Sequence, residues 1–526
     1  MRREKREEGT TVKAVTRVMA ILFILCFLTT STALAEDSFN LNKDGYSTSY
    51  TYTYDYWGDV QESPDAYRIK TVIDTVSLGL ENMGGVKLTK PQSLYVRGHD
   101  LYIVDTPNNR ILQVAYRDLQ YTLVRVISEV KGAETATFNS PYDVFVDPEN
   151  NIYVADYGNH RVVMMDEDLN LIREYVKPTD ATFDQGQDYL PKKITVDVAG
   201  RVYVLATNVN KGLIKYEANG TFVGFIGANP VRVSMGEYIW KRYFQTKEQR
   251  AQSTAFVPTE YENIYIDDKG FIYATTTTFS EYDLKSDVAK PIRRLNGLGN
   301  DILIKNDTYP PIGDLWWAEG DSSYYGPSRM TDITVFEDDI YVVLDRIRGR
   351  LFGYDSQGVM LWAFGTRGST TGAFVRSVAL EHMDRDLLVL DEVKGSVTVF
   401  TPTEYGNTIY EAYRKYNDGD YAQSAEVWKD VLRMNANYPL AFRGIGLAVM
   451  RENRFQEAME YFKMAHDRES YGRAFKLYRK DWIEKNVWWL VLVLAAVLII
   501  PLAIGRVKKM KWEVIMHEHN KVKAGV

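Results

Sequence analysis

Short hydrophobic segments that end in aspartate recur along the middle of the chain. They are LYIVDTPNNRI at 101–111, IYVADYGNHRV at 152–162, IYVVLDRIRGRL at 340–351 and LLVLDEVKGSV at 387–397. Two further copies, VYVLATNVNKGLI at 202–214 and IYATTTTF at 272–279, have the hydrophobic residues without the aspartate. Runs of this length, rich in β-branched and aromatic residues and bounded by turn residues, predict strands. The pattern therefore predicts six similar β units.

A second predicted strand precedes each of these segments by about ten residues, often after a proline. The preceding strands are PQSLYV (91–96), PYDVFVD (141–147), PKKITVD (191–197), YENIYID (261–267), MTDITVF (330–336) and VRSVALE (375–381). The unit repeats mostly at intervals of roughly 45 to 51 residues, which is typical of propeller blades. We therefore predict a mainly β fold, a six-bladed β-propeller within 36–402.

The two ends of the predicted propeller complement each other. The strand-like segment AYRIKTVIDTVS (66–77) has no blade of its own, and the last blade has three clear strands before Pro402. We expect the N-terminal strand to complete the last blade, because this removes two open sheet edges. The segment YTYTYDYW (50–57) either adds another edge strand or packs on the outside.

The segment VDPENNIYVADYGNHRVVMMD (146–166) resembles the NHL repeat. Its Asp156, Asn159, His160 and Arg161 could form a metal or catalytic cluster, or could be structural. An acid and an arginine five residues apart recur as Asp105 with Arg110 and as Asp345 with Arg350, and a cluster repeated in several blades favours a structural role. We expect Asp156 and Arg161 to bridge a strand end to a neighbouring loop.

Both ends of the chain carry apolar segments. Residues 1–35 have a basic start, an apolar stretch at 18–28 and small residues before Glu36, which is typical of a signal peptide, with an uncleaved anchor as the alternative. The uncharged segment at 487–504 predicts a transmembrane helix at 486–505, and the basic tail at 506–526 places the C-terminus in the cytoplasm. We therefore predict a single-pass cell-membrane protein with its folded domains outside the cytoplasm.

Charge and cysteine content exclude several classes of function. The chain carries −7 overall, while residues 1–35 carry +3 and the tail carries +4, so the part between them carries −14. Such an acidic body argues against a nucleic-acid partner. The single cysteine, Cys26, lies inside the signal segment, so the cleaved chain has no disulfide and no cysteine nucleophile.

Residues 403–485 change to helical spacing. The segments 417–438 and 451–471 share an aromatic residue at 421 and 455, a small residue at 424 and 458, and an aromatic residue at 428 and 462, always 34 apart. This resembles tetratricopeptide (TPR) repeats, although Glu411 stands where the family usually has leucine. The resemblance implies a domain that either holds a peptide or positions the propeller above the membrane.

The chain has no phosphate-binding loop, serine-hydrolase elbow or zinc-spaced histidine pair, so we predict no cofactor, no metal and no catalytic residue. The resemblance still leaves an enzyme possible, since some NHL-like propellers are zinc lyases and related six-bladed folds are calcium-dependent lactonases. One residue of each inner strand should face the channel mouth. These residues are Ser93, Asp143, Lys193, Asn263, Asp332 and Ser377. They form either a self-satisfied polar ring or a site for a small polar ligand, and Lys193 would repel a calcium ion.

Two insertions, at 229–252 before the fourth blade and at 306–328 before the fifth, are rich in aromatic residues. Their aromatic residues are Trp240, Tyr243, Phe244, Trp316, Trp317, Tyr324 and Tyr325. Aromatic loops on a rigid scaffold commonly bind a protein or a carbohydrate. The alternative is that they pack on each other and cover one end of the propeller.

The order of signal, propeller, TPR-like repeats, membrane span and basic tail resembles a group of Gram-positive bacterial surface proteins that are often encoded beside transport systems. The resemblance implies a membrane-anchored interaction or scaffold protein, with a transport component as one candidate partner. The alternative is a lactonase-like or lyase-like propeller enzyme that acts on a small polar substrate.

Overall fold

The computed structural model describes residues 51–82, 86–228, 260–279, 283–284, 289–305, 310–315 and 326–523. The chain divides into two compact units, Met1–Asn407 and Thr408–Val526. The first unit contains the sheets and the second contains most of the helical residues.

Three strands precede the first complete blade. They are β1 Tyr52–Tyr54, β2 Val60–Glu62 and β3 Tyr67–Ile73. The blades that follow are built from antiparallel neighbours joined by short turns, so each blade is a local meander.

The first three blades have four strands each. Blade 1 consists of β4 Ser93–Arg97, β5 Asp100–Asp105, β6 Arg110–Arg117 and β7 Gln120–Ile127. Blade 2 consists of β8 Pro141–Val146, β9 Ile152–Asp156, β10 Arg161–Met165 and β11 Leu171–Tyr175. Blade 3 consists of β12 Pro191–Val196, β13 Val202–Ala206, β14 Leu213–Tyr216 and β15 Phe222–Ile226.

The last three blades differ in strand number within the described residues. Blade 4 has three strands, β16 Asn263–Ile266, β17 Ile272–Thr275 and β18 Ile292–Leu295. Blade 5 contains β19 Met330–Val335, β20 Tyr341–Asp345, β21 Arg350–Tyr354 and β22 Met360–Phe364. Blade 6 contains β23 Ser377–Met383, β24 Asp386–Asp391 and β25 Ser396–Pro402.

The inner strands of the six blades contact one another in sequence around a ring, and the last of them, β23, contacts the first, β4. This closed arrangement is a six-bladed β-propeller. The N-terminal strand β3 is the outer strand of blade 6, and its pairing with β25 runs from Tyr67 opposite Pro402 to Ile73 opposite Val397. First and last blades also share one hydrophobic core, in which Ile73 packs with residues such as Leu101 and Leu388.

The hairpin of β1 and β2 extends blade 5 to six strands, in the order β19-β20-β21-β22-β1-β2. A buried polar cluster fixes this hairpin against the blade. Arg350 donates to the Asp314 carboxylate at 2.6 Å and to the Tyr52 hydroxyl at 3.0 Å, and the Tyr52 hydroxyl donates to Asp314. The tyrosine-rich segment therefore adds sheet to the propeller.

Five helices follow the propeller strands. They are α1 Glu404–Asn417, α2 Tyr421–Met434, α3 Pro439–Arg451, α4 Phe455–Met464 and α5 Arg468–Lys523. Consecutive helices from α2 onward pack on one another. Two glycines leave room for buried aromatic rings. A Cβ at Gly444 would clash with Trp428, and a Cβ at Gly446 would lie 2.7 Å from Phe462. Trp428 and Phe462 are the aromatic pair spaced 34 residues apart in the sequence; the TPR assignment itself stays a prediction.

Helix α5 contains an 18-residue window with a mean hydropathy of 2.8, none of which is buried within the protein. Among the described residues this is the one helix long and apolar enough to cross a membrane, judged by length and composition. Pro501 lies inside it.

Candidate ligand site in the propeller channel

Five polar residues occupy the same position on the inner strands of blades 1 to 5. The strand registers place Asp143 opposite Ala155, Lys193 opposite Leu205 and Asp332 opposite Leu344, each just after a β-bulge. Ser93 and Asn263 occupy the corresponding positions of their blades. All five side chains are buried and they meet around the channel axis. We call these five residues the channel ring.

One half of the channel ring is a three-residue network. Ser93 Oγ donates to Asp143 Oδ1 at 2.5 Å, and Lys193 Nζ lies 2.8 Å from Ser93 Oγ and 3.4 Å from Asp143 Oδ1. The other oxygen of Asp143 accepts the backbone N–H of Ile194 at 2.9 Å. Both oxygens of this carboxylate therefore accept donors, and Asp143 of blade 2 is joined in this way to blades 1 and 3.

The other half of the channel ring centres on Asp332. Its Oδ1 accepts the Asn263 amide and the backbone N–H of Ile333, and its Oδ2 accepts the backbone N–H of Leu380 at 2.7 Å. Here again one carboxylate joins three adjacent blades. The polar groups of the channel ring satisfy one another, which is what a buried polar network requires.

Ser377, predicted as the sixth member, lies elsewhere. It pairs with Asp391, whereas Ala379 pairs with Leu390 and takes the position equivalent to Asp143 and Asp332. The hydroxyl of Ser377 is buried without a hydrogen-bond partner. In the sequence VRSVALE the channel position is Ala379 and the residue after it is Leu380, two residues later than Ser377 and Val378.

Burial and neighbouring charges shift the pKa values of Lys193 and Asp332 in opposite directions. Burial disfavours the ammonium of Lys193, yet the carboxylates of Asp143 and Asp332 raise the pKa of Lys193 above its ordinary value. Burial raises the pKa of Asp332 to about 6, against the lowering effect of Lys193 and of two backbone N–H donors. The channel ring thus holds one firmly charged cation beside a carboxylate that titrates in the mildly acidic range.

The channel ring does not fit a divalent metal ion. Lys193 places a positive charge between the carboxylates, and both carboxylates already accept N–H or O–H donors with each oxygen. Among the described residues, no group of three or more His, Cys, Asp or Glu side chains could hold a metal ion. Calcium prefers six to eight oxygen ligands, which this arrangement does not offer.

Glu381 lies two residues beyond Ala379 on the same strand, so it faces the channel one step deeper. It is buried, and burial together with the nearby Asp332 raises the pKa of Glu381 well above its ordinary value. The next residue, His382, makes a 2.6 Å hydrogen bond through Nδ1 to the Thr334 hydroxyl, and burial lowers its pKa to about 4. The sequence analysis missed Glu381, although the period-two alternation from Ala379 points to it.

The channel has a cavity on each side of the channel ring. The larger has a volume of about 640 Å³ and is lined by Glu381 and the turns that end the inner strands. The smaller has a volume of about 390 Å³ and lies where the inner strands begin. Lys193 and Asn263 line both cavities, so the channel ring separates them.

The seven aromatic residues of the two insertions lie outside the described residues: Trp240, Tyr243, Phe244, Trp316, Trp317, Tyr324 and Tyr325. Each insertion connects an outer strand of one blade to the inner strand of the next. The first leaves after β15 and returns at Glu260 before β16, and the second ends before β19. The first connection starts and ends on the side of the smaller cavity, because β15 is the fourth strand of its antiparallel sheet, and the second connection returns to β19 on that same side.

The Asp–Asn–His–Arg cluster in blade 2 is a structural device. Asp156 accepts the backbone N–H of Asn139 at 2.8 Å, the Asn159 amide at 2.8 Å and Arg161 Nε at 2.9 Å. Arg161 also reaches the carbonyl of Thr135 at 2.6 Å in the loop that enters the blade.

The same device recurs in blade 1 and changes in blade 5. In blade 1, Arg110 Nε bonds to Asp105 at 2.7 Å. In blade 5, Arg348 contacts Asp345 at 3.3 Å, while Arg350 turns to the buried Asp314. The acid at the strand end thus ties the strand to the loop before the blade.

Comparison with known proteins agrees with this architecture. The NHL repeat family matches residues 138–163, so the chain contains an NHL repeat. A human protein, NHL repeat-containing protein 3, is 31% identical over 91 residues, which cover 16% of this chain and 25% of that protein. The chain thus spans a quarter of the length of the curated relative it matches.

Two solved structures are also similar to this chain. A virginiamycin B lyase from Staphylococcus aureus is 13% identical, with a TM-score of 0.36, covering 62% of this chain and 82% of the lyase. A gluconolactonase from Xanthomonas campestris is 10% identical, with a TM-score of 0.33, covering 68% of this chain and 98% of that enzyme.

Proposed function

We propose that the protein is a membrane-anchored interaction protein that presents its propeller and helical domain outside the cytoplasm to a protein or carbohydrate partner. The observation that carries this proposal is the apolar segment of α5, which is exposed along its length. Apolar surface of this extent is stable in a bilayer and unstable in water. Arg506, Lys508 and Lys509 follow it, which favours a cytoplasmic tail.

The two aromatic insertions are the proposed partner-binding surface. Both lead into the inner strand of a blade on the side of the smaller cavity, and a rigid propeller is a suitable scaffold for such loops. The resemblance to surface proteins encoded beside transport systems supports a transport component as the protein partner. The TPR-like helices then either hold a peptide of that partner or position the propeller.

The geometry of the channel ring favours a structural role over catalysis. A general base needs an unoccupied lone pair within reach of a substrate proton. Asp143 and Asp332 instead accept donors with both oxygens. The channel ring therefore supports a structural role in a propeller that acts through its surface.

A lactonase-like or lyase-like enzyme is the second candidate, because Glu381 and Asp332 have raised pKa values and line a cavity of about 640 Å³. Perturbed acids in a cavity are typical of active sites. The test is hydrolysis of a panel of small lactones by the full chain. Turnover that disappears in Glu381→Gln, with unchanged melting temperature, would establish the enzyme.

The partner proposal is tested by affinity purification from gently solubilised membranes with the variant Trp316→Ala/Trp317→Ala. Buried aromatic anchors contribute about 2 kcal/mol or more each, roughly thirtyfold in affinity per residue, so the double variant should recover little or none of the partner. The matched control is Trp57→Ala, since Trp57 is 71% exposed in the turn between β1 and β2. A folded double variant that recovers the partner normally would refute the aromatic surface.

The orientation is tested separately by adding protease to intact, wall-stripped cells. The propeller should be degraded while the tail at 506–526 is protected. A protected propeller would refute the proposed topology whatever the partner experiment gives.

A further inference from the structure

The smaller cavity carries a charge of unexpected sign. Its charged lining consists of Lys192, Lys193, Arg346, Arg367 and Arg376 with only two acids, Glu262 and Glu392. The larger cavity, on the other side of the channel ring, has nine acidic and four basic residues in its lining. On a chain whose body is acidic, the positive lining is therefore confined to one mouth of the channel. We call Lys192, Arg346, Arg367, Arg376, Glu262 and Glu392 the cationic mouth.

Two cations of this mouth share one carboxylate oxygen. Lys192 Nζ lies 3.2 Å and Arg346 Nη1 lies 3.7 Å from Glu262 Oε1. Charge-assisted hydrogen bonds are usually about 2.7–2.9 Å long, so both contacts are longer than the optimum. The single negative charge of Glu262 is thus shared by two cations. Both cations have further N–H groups that can donate to a ligand.

The opposite side of the mouth is more tightly bound. Arg376 contacts Glu392 Oε1 at 2.7 Å, and the second oxygen of Glu392 accepts the Gln92 amide at 2.7 Å. This pairing fixes Arg376 in place and leaves Glu392 with an occupied contact on each oxygen. Glu262, in contrast, faces two cations, Lys192 and Arg346, with one carboxylate.

The backbone that carries these cations is rigid. Lys192 lies on the inner strand β12, and Arg346 follows β20 directly. The backbone N–H of Arg346 bonds to the Arg329 carbonyl at 3.3 Å, and the next N–H, of Ile347, bonds to Asp345 at 2.9 Å. A site whose backbone is already held in place loses little backbone entropy when a ligand binds.

We propose that the cationic mouth binds a small organic anion with two or more carboxylate or phosphate groups. The cavity volume of about 390 Å³ lies at the lower end of the range for small-molecule sites, which favours a compact ligand over a polymer. The ligand's acidic groups replace the long contacts to Glu262 with short ones from Lys192 and Arg346. This inference stands independently of the membrane and partner proposals.

The test uses the detergent-solubilised full chain with citrate and with pyrophosphate as probes, at constant ionic strength, by calorimetry and by melting temperature. Both anions should bind saturably at millimolar concentration or below, whereas uncharged mannitol should not. The variant Lys192→Gln/Arg346→Gln should bind roughly tenfold more weakly or worse, the loss expected from removing charge-assisted hydrogen bonds. Lys269→Gln, at the acidic side of the channel, is the matched control and should bind as the unaltered chain does.

The variant Glu262→Gln should change the anion affinity in the opposite direction to Lys192→Gln/Arg346→Gln. A folding defect would weaken binding in both variants, so it would not produce this result. Removing the shared carboxylate leaves Lys192 and Arg346 without their competitor, so anion affinity should increase. Weaker binding by Glu262→Gln, an equal loss in Lys269→Gln, or no saturable binding of either anion to the unaltered chain would each overturn the proposal. Tighter binding by Glu262→Gln together with weaker binding by the double cation variant would support it.

Discussion

Replacing Asp143 by alanine should destabilise the propeller strongly, because it leaves Lys193 buried without its carboxylate. Both residues are buried, with exposed fractions of 6% each. Asp143 also accepts the Ser93 hydroxyl at 2.5 Å and the Ile194 N–H at 2.9 Å. Removing one partner of a buried ion pair costs about 3–5 kcal/mol of unfolding free energy.

A double variant separates this effect from a loss of packing. In Asp143→Ala/Lys193→Met the buried charge is gone, and the remaining cost comes from the unsatisfied N–H of Ile194 and the unsatisfied hydroxyl of Ser93, each worth about 1–3 kcal/mol. The double variant should therefore be more stable than Asp143→Ala alone. Replacing a buried pair by apolar residues is often neutral or even stabilising.

The measurement is thermal unfolding of the solubilised chain, followed by near-ultraviolet circular dichroism. For a domain of this size a change of 1 kcal/mol moves the melting temperature by about 2 °C, so Asp143→Ala should lower it by roughly 6–10 °C. The reasoning is refuted if Asp143→Ala costs less than about 1 kcal/mol, or if the second substitution restores no stability.

Three further predictions follow from the same structure. The pKa of Asp332 in the folded state is raised to about 6, so its contribution to stability is complete below its unfolded-state pKa and is lost as the pH rises through about 6. The difference in melting temperature between the unaltered chain and Asp332→Asn should therefore shrink between pH 4 and pH 7. A difference that stays constant over this range would contradict the prediction. Chelators should leave the melting temperature unchanged, because the channel ring does not fit a divalent ion, whereas a large drop would revive a metal site. Gly353→Ala should lower the melting temperature markedly, because its Cβ would lie 2.5 Å from the buried Trp362 ring, and a variant as stable as the unaltered chain would disprove this close packing.

Much of the propeller could be predicted from the sequence because each blade repeats the same local pattern. The repeated pattern consists of a hydrophobic strand, in most copies an aspartate at its end, and a turn. The number of copies of this pattern predicts the number of blades. The contacts of Asp156 and Arg161 explain why these residues recur, since they tie a strand to the loop before it. Because several blades need this contact, the same residue types recur at the same position of the repeat.

The candidate site was less predictable because it is built from residues that differ between blades. Asp143 and Lys193 occupy one equivalent position and are chemically opposite, so no repeat identifies them as partners. The sequence predicts Ser377 at the channel position, two residues before Ala379, because the hydrophobic run in blade 6 admits two registers. The cationic mouth depends on Arg346 and Glu262 meeting across blades, and only the closed ring brings them within 3.7 Å.

The pairing of β3 with β25 has a consequence for the time course of folding. The nearby contact between Thr403 and Asp65 joins residues 338 positions apart in the chain. During synthesis, strand β3 is therefore made early, and its edge stays unpaired until almost all of the other propeller strands have been made. Closure is necessarily among the last steps of folding, and a chain arrested before blade 6 would keep two open edges that are prone to pair with other chains.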